Sequence, residues 1–213
     1  MTVSSPAQDL VDATLGLDAR GLNVGTSGNL SVRAADGLWV TPSAVPPADL
    51  TPDRIVRLDT AGARLTPGVP TSEWRIHRDV YASRPEAAAI VHTHSSYATA
   101  LAVLREDLPA FHYQVAKAGG RVVACSAYAP YGTQDLSDAV LAALGPRRAC
   151  LMANHGMLAW GPDLASAMAL AIEVEVLCRQ YLIARAAGTP VLLTDEQMDI
   201  ALASFRRYGQ PED

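Results

Sequence analysis

Strands and helices mix along this chain without a regular strand–helix–strand period, and that irregularity limits the fold more than any single motif. It predicts one sheet with flanking helices. Residues 6–21 read as a helix ending near Gly21, with Leu10, Ala13, Leu17 and Gly21 at helical spacings. Residues 29–33 and 38–41 alternate as strands around an Asp36-Gly37 turn, and 54–59 reads as another strand. Thr71 and Ser72 can cap a helix running from Glu73 towards Ser83, stopped by Pro85. Residues 88–93 form a short apolar strand entering His-Thr-His-Ser, and 96–104 follow as a helix. Residues 122–125 read as a strand and 133–144 as a helix. A second apolar strand, 149–153, stops at Asn154-His155-Gly156, with 157–160 following. The longest helical pattern, 163–187, ends at Gly188 and Pro190, and 195–208 reads as a final helix.

The chain has 213 residues, enough for one domain over 1–213 with a sizeable core. Its net charge of −5 argues against a nucleic-acid partner, which needs a basic face, but leaves room for a small anion site. Cys125, Cys150 and Cys178 are too far apart for a CxxC zinc site or a disulfide framework, and read as small buried residues. The first residues carry Asp9 and Asp12 and no basic stretch, so no secretory signal is expected. The apolar stretch 165–172 runs into Glu173 and Glu175, so no membrane span is expected and the reading is cytoplasmic.

The histidines carry the chemistry. On a strand, His92 and His94 point to one face, which suits a single ion. Two exposed polar histidines at a strand end would look the same. His155 ends the second apolar strand and stands beside Gly156, which permits close backbone approach or an unusual φ. Three histidines with an open fourth position match a catalytic zinc pattern. Glu73 can add an oxygen ligand or a base, although a carboxylate in a first helical turn is also ordinary charge–dipole placement. His77, one turn further on, reads as a helix-surface residue before it reads as support for the metal. His112 reads as structural.

No GxxxxGK[ST] or GxGxxG motif supports ATP or a dinucleotide. Thr26, Ser27, Gly28 and Asn29, Thr41 and Ser43, and Thr71 and Ser72 still offer amides and hydroxyls to a phosphate, or are ordinary turn and cap residues.

Together these segments resemble the class II aldolase/adducin family. The resembling stretches are GTSGNLSVR, WVTPSAVP, PTSEWRIHRDVYASRP, AAIVHTHSSYATAL, FHYQVAKAGG, APYGTQDLSDAV, NHGMLAWG and AIEVEVLCRQYL, in one order over almost the whole chain. The resemblance implies an α/β fold, a mostly antiparallel sheet with helices on both sides, and a homotetramer with its active site at the subunit interface. It implies zinc (Zn2+), or another divalent metal, held by His92, His94 and His155, with Glu73 as resting ligand and acid/base. It places phosphate at Gly28, Asn29, Ser43, Thr71 and Ser72. Thr26, Tyr131 and the C-terminal Tyr208 would line the substrate pocket, and Tyr113 would reach a neighbouring subunit's site. Two positions depart from the family: its TPSG reads TPSA here, putting Ala44 where glycine is usual, and Tyr131 stands where an apolar aromatic is common.

The implied activity is cleavage of a ketose 1-phosphate, L-fuculose 1-phosphate or similar, to dihydroxyacetone phosphate and an aldehyde such as lactaldehyde. Other deoxy- or methylthio-ketose 1-phosphates are close alternatives. L-ribulose-5-phosphate 4-epimerization is less favoured, because those relatives typically carry Asp where this chain has Glu73. An adducin-like structural module is opposed by the intact ligand set and the lack of a basic tail. Lys117, the chain's only lysine, lies outside the metal cluster and so is a weak candidate for Schiff-base chemistry.

Overall fold

The structure is a computed structural model, and it describes residues 5–207. Among these residues, seven strands make one sheet: β1 (Asn29–Ala34), β2 (Gly37–Val40), β3 (Val56–Asp59), β4 (Ala89–Thr93), β5 (Cys125–Ser126), β6 (Ala149–Met152) and β7 (Gly156–Gly161). Their order is β3-β2-β1-β4-β7-β6-β5, and only the β5–β6 pair is parallel. The helices are α1 (Pro6–Asp18), α2 (Trp74–Ser83), α3 (Ser96–Val103), α4 (Gln134–Leu144), α5 (Leu164–Ala187) and α6 (Asp195–Arg207). Side-chain caps from the preceding residue start four of them: Ser5, Thr133, Asp163 and Thr194 accept from the backbone N–H groups of Gln8, Leu136, Ser166 and Gln197.

The central strand explains the layering. All five residues of β4 are buried, so both of its faces need cover. Ala89 and Val91 pack with Leu10 and Leu17 of α1, Leu101 of α3 and Leu170 of α5. Ile90 faces the other way, into Ile76 and Val80 of α2 and Val140 of α4. Helices therefore lie on both sides, as the resemblance implied. No helix among the described residues is long and apolar enough to cross a membrane.

Several boundaries move for local reasons. The first helix stops at Asp18 rather than Gly21, because Gly21 turns at φ +66° and Leu22 N–H closes on the Leu17 carbonyl. Arg54 belongs to a 3-10 turn, Pro52–Arg54, so β3 begins at Val56. The strand expected over 122–125 is only Cys125–Ser126, because Val123 pairs instead with Leu108. The second helix begins at Trp74, with Glu73 at its N-cap, so Thr71 and Ser72 do not cap it as expected. The last helix ends at Arg207 within the described residues, and Tyr208 lies outside them.

Candidate metal centre

The register of the sheet gathers the site. Asn29 on β1 is paired with His92 on β4, which is paired in turn with Leu158 on β7. Paired residues project to the same face, so Asn29 and His92 both point to the side where α2 packs. Glu73 stands at the N-terminus of α2, and the β6–β7 turn brings in His155. One ligand atom from each of Glu73, His92, His94 and His155 lies within 4.8 Å of the others.

The two β-strand ends are clamped together to make this possible. Asn154 adopts φ 53°, a left-handed conformation that asparagine tolerates, and its Oδ1 accepts from Arg105 Nε at 2.8 Å. A Cβ on Gly156 would lie 2.3 Å from the Thr93 carbonyl oxygen and 3.3 Å from His94 Cδ2. Close approach, and not an unusual φ, is why position 156 needs glycine.

Glu73 bridges the cluster, with Oε2 3.1 Å from His92 Nε2 and Oε1 3.1 Å from His155 Nε2. It is buried, so it is more than a carboxylate placed near a helix dipole. Burial alone would raise its pKa, but His92 and His155 outweigh that and hold it below the usual carboxylate range. His92 Nδ1 donates to the Met157 carbonyl at 2.8 Å, leaving Nε2 facing inward. His94 Nε2 lies 2.9 Å from that same atom. Burial, with His92 and His155 alongside, pushes the His94 pKa to about 3, so its ring is neutral. Imidazole nitrogens of His92, His94 and His155 that converge on one another and on a buried carboxylate fit a divalent cation better than they fit one another.

Beside this cluster is a cavity of about 140 Å³, lined by Thr26, Ser27, Gly28, Asn29, Pro42, Ser43, Ala44, Thr71, Ser72, Glu73, His94, Tyr131 and His155. The structure thus gathers every residue assigned to phosphate, together with Thr26 and Tyr131. Two loops are zipped together there: Ser43 N–H donates to the Val69 carbonyl, and Thr71 N–H to that of Thr41. Gly28 turns at φ +76°, and a Cβ on it would lie 2.4 Å from Asn23 Oδ1. Ala44 takes φ 57°, a glycine-favouring conformation that now carries a methyl group. Tyr113 is not at this cavity. It is 52% exposed on a 3-10 turn, Tyr113–Ala118, and stacks on Phe205 with ring centroids 6.0 Å apart. Lys117, on the same turn, pairs with Glu173 at 2.9 Å.

Three supporting residues escape the sequence reading. Asn23 is buried, and its Oδ1 accepts from His94 N–H at 3.3 Å, tying the Gly28 turn to the metal strand. Glu175 on α5 accepts from Tyr97 N–H and Ala98 N–H, capping α3 directly after the histidines. His77 is fully buried, contrary to the surface placement expected: Nε2 is 2.6 Å from Asn29 Oδ1 and Nδ1 is 2.7 Å from Ser31 Oγ. Burial, with His92 nearby, pushes its pKa to about 3. The signal was present as Glu73, His77 and Tyr81 at four-residue steps on one helix, opposite Asn29 and Ser31 two apart on a strand.

A mostly antiparallel sheet clothed on both faces, with a three-histidine, one-glutamate cluster at the strand ends, defines the class. The family model described as Class II Aldolase and Adducin N-terminal domain matches residues 8–182. The chain is 48% identical over 200 residues to a 5-methylthioribulose-1-phosphate/5-deoxyribulose-1-phosphate aldolase of Rhodospirillum rubrum, covering 94% of this chain and 90% of that one. It is 43% identical over 204 residues to the L-fuculose phosphate aldolase of Escherichia coli K12, covering 95% of each. A solved L-fuculose 1-phosphate aldolase superposes with a TM-score of 0.93 at 38% identity, covering 97% of this chain and 98% of that one. The chain belongs to the class II aldolase/adducin family, and within it to the class II aldolases, which are metal-dependent lyases.

Proposed function

We propose that the protein cleaves a ketose 1-phosphate reversibly to dihydroxyacetone phosphate and an aldehyde, with Zn2+ at the Glu73–His92–His94–His155 centre. The observation that carries this reading is the contiguity of that centre with the small polar cavity built from residues 26–29, 42–44 and 71–73. When bound by Glu73, His92, His94 and His155, Zn2+ would supply Lewis-acid withdrawal from the substrate ketone, lowering the cost of the negative charge left by bond cleavage.

The chain's own groups do the rest. The phosphate binds Gly28, Asn29, Ser43, Thr71 and Ser72, which anchor the three-carbon half through amides and hydroxyls. Glu73, which would hold the resting metal, moves the proton at the carbon where the bond breaks. Tyr113, which does not line its own chain's cavity, exchanges a proton with the aldehyde oxygen in a neighbouring subunit of a homotetramer. Tyr131, 74% exposed at the cavity mouth, meets the aldehyde half. Tyr208 is assigned to the same half by resemblance alone. The small phosphorylated sugar is the only partner needed besides further copies of the chain.

L-Fuculose 1-phosphate and the 5-deoxy- or 5-methylthio-ribulose 1-phosphates differ in the aldehyde half, and the 48% identity to the R. rubrum aldolase favours including the latter. The test is a panel of these ketose 1-phosphates with L-ribulose 5-phosphate, scored by product. Release of dihydroxyacetone phosphate supports the aldolase. Interconversion of pentulose 5-phosphates without cleavage would overturn it in favour of an epimerase.

A further inference from the structure

We propose that His77 is a positioning residue that fixes the Asn29 carboxamide and, through it, holds the Glu73 carboxylate for proton transfer. The inference rests on the acid/base role given to Glu73 above. Its geometry is a buried line of side chains. Glu73 Oε2 faces Asn29 Nδ2 at 2.8 Å, and Asn29 Oδ1 faces His77 Nε2 at 2.6 Å. His77 Nδ1 faces Ser31 Oγ at 2.7 Å, and Ser31 Oγ faces the Tyr81 hydroxyl at 2.8 Å.

Chemistry assigns every donor along this line. A carboxylate only accepts, so the Asn29 amide nitrogen must point at Glu73 and its carbonyl must point away. That carbonyl needs a donor, and His77 Nε2–H is the group within reach. The other ring nitrogen then accepts from the Ser31 hydroxyl, whose oxygen accepts from Tyr81. Asn29, Ser31, His77 and Tyr81 are all buried, so water does not substitute for a missing partner. Without a donor at position 77, nothing selects the amide orientation that donates to Glu73. The reversed orientation would set a carbonyl oxygen against the carboxylate.

The test compares the metal-loaded wild type with His77→Leu and His77→Gln. Leucine removes the donor, while glutamine places an N–H close to the original Nε2. His77→Leu is expected to lower kcat by about 30-fold with a smaller change in KM, because Gly28, Ser43, Thr71 and Ser72 keep their places at the phosphate and only Asn29 is disturbed. His77→Gln is expected to recover kcat to within about threefold of wild type. Equal kcat in wild type and His77→Leu would overturn the proposal, as would equal loss in both variants. A second readout does not depend on turnover: nitrogen-15 NMR of the wild-type imidazole at neutral pH. A neutral ring protonated on Nε2 supports the proposal, and an Nδ1–H tautomer or an imidazolium overturns it. Should wild type cleave no ketose 1-phosphate, the aldolase reading fails and the tautomer still decides the role of His77 in holding Asn29.

Discussion

Glu73 accounts for most of the chemistry assigned to a single side chain. Its carboxylate touches two histidines and Asn29, so Glu73→Gln changes charge with little change of shape. The variant is expected to fold as wild type and lose roughly 10²- to 10⁴-fold in kcat, the usual worth of a positioned acid/base. Steady-state kinetics beside a thermal melt check this, and a near-wild-type rate would remove Glu73 from proton transfer. His77 makes a different prediction. Its folded pKa of about 3 lies below the ordinary 6.5, so the unfolded chain binds the extra proton between those values. Stability from this group is complete above about pH 6.5 and falls as the solution is acidified. Urea unfolding at pH 7 and pH 5 is expected to show about 2 kcal/mol more loss in wild type than in His77→Gln. Equal losses would contradict the neutral, buried ring. The contrast between these residues shows what the sequence could carry. His92, His94 and His155 are legible because strand alternation and two chain breaks already aim them. His77 was placed on the surface because its partners, Asn29 and Ser31, lie more than forty residues away, and only the sheet register brings them near.

At the scale of elements, the site depends on how closely β4 and β7 approach beside the histidines. The Gly156 contact with Thr93 makes that closeness testable. Gly156→Ala forces the strand ends apart and is expected to cost about 1–3 kcal/mol in stability, as overpacking does. Because His92 and His155 sit on either side of this seam, metal affinity is expected to drop by about 10- to 100-fold. Unchanged metal affinity in a folded Gly156→Ala protein would show that the seam does not set ligand geometry. Ala44 invites the opposite change. Ala44→Gly relieves a left-handed alanine but frees the unfolded chain, two effects of about 1 kcal/mol that offset. Little change in Tm and a lower KM for the ketose 1-phosphate are expected if the methyl crowds the phosphate. Elements were mostly legible, since apolar runs and caps mark them locally. The errors fell where tertiary pairing decides, as at Val123, which joins Leu108 instead of extending β5.

At the scale of the whole molecule, one chain gathers the side chains proposed for metal and phosphate but keeps Tyr113 on a different surface. Alongside Tyr113, a groove of about 610 Å³ runs between the 3-10 turn and α6, lined by Leu193, Ile200, Ala201 and Phe205. Supply of Tyr113 from a neighbouring chain predicts complementation. Glu73→Gln and Tyr113→Phe homo-oligomers are each expected to be nearly inactive, while mixed oligomers regain a fraction of wild-type turnover from sites lacking neither group. Mixing that restores nothing would place Tyr113 outside the shared site. An assembly is implied only by the family resemblance, because net charge and hydrophobic patterning carry no record of which surface would meet a second copy.

The most direct measurement is a metal titration of chelator-stripped protein, following dihydroxyacetone phosphate release from a cleaved ketose 1-phosphate. The account predicts negligible release without metal and a rise with added Zn2+ that stops at one equivalent per chain. Full cleavage by the stripped protein would contradict it.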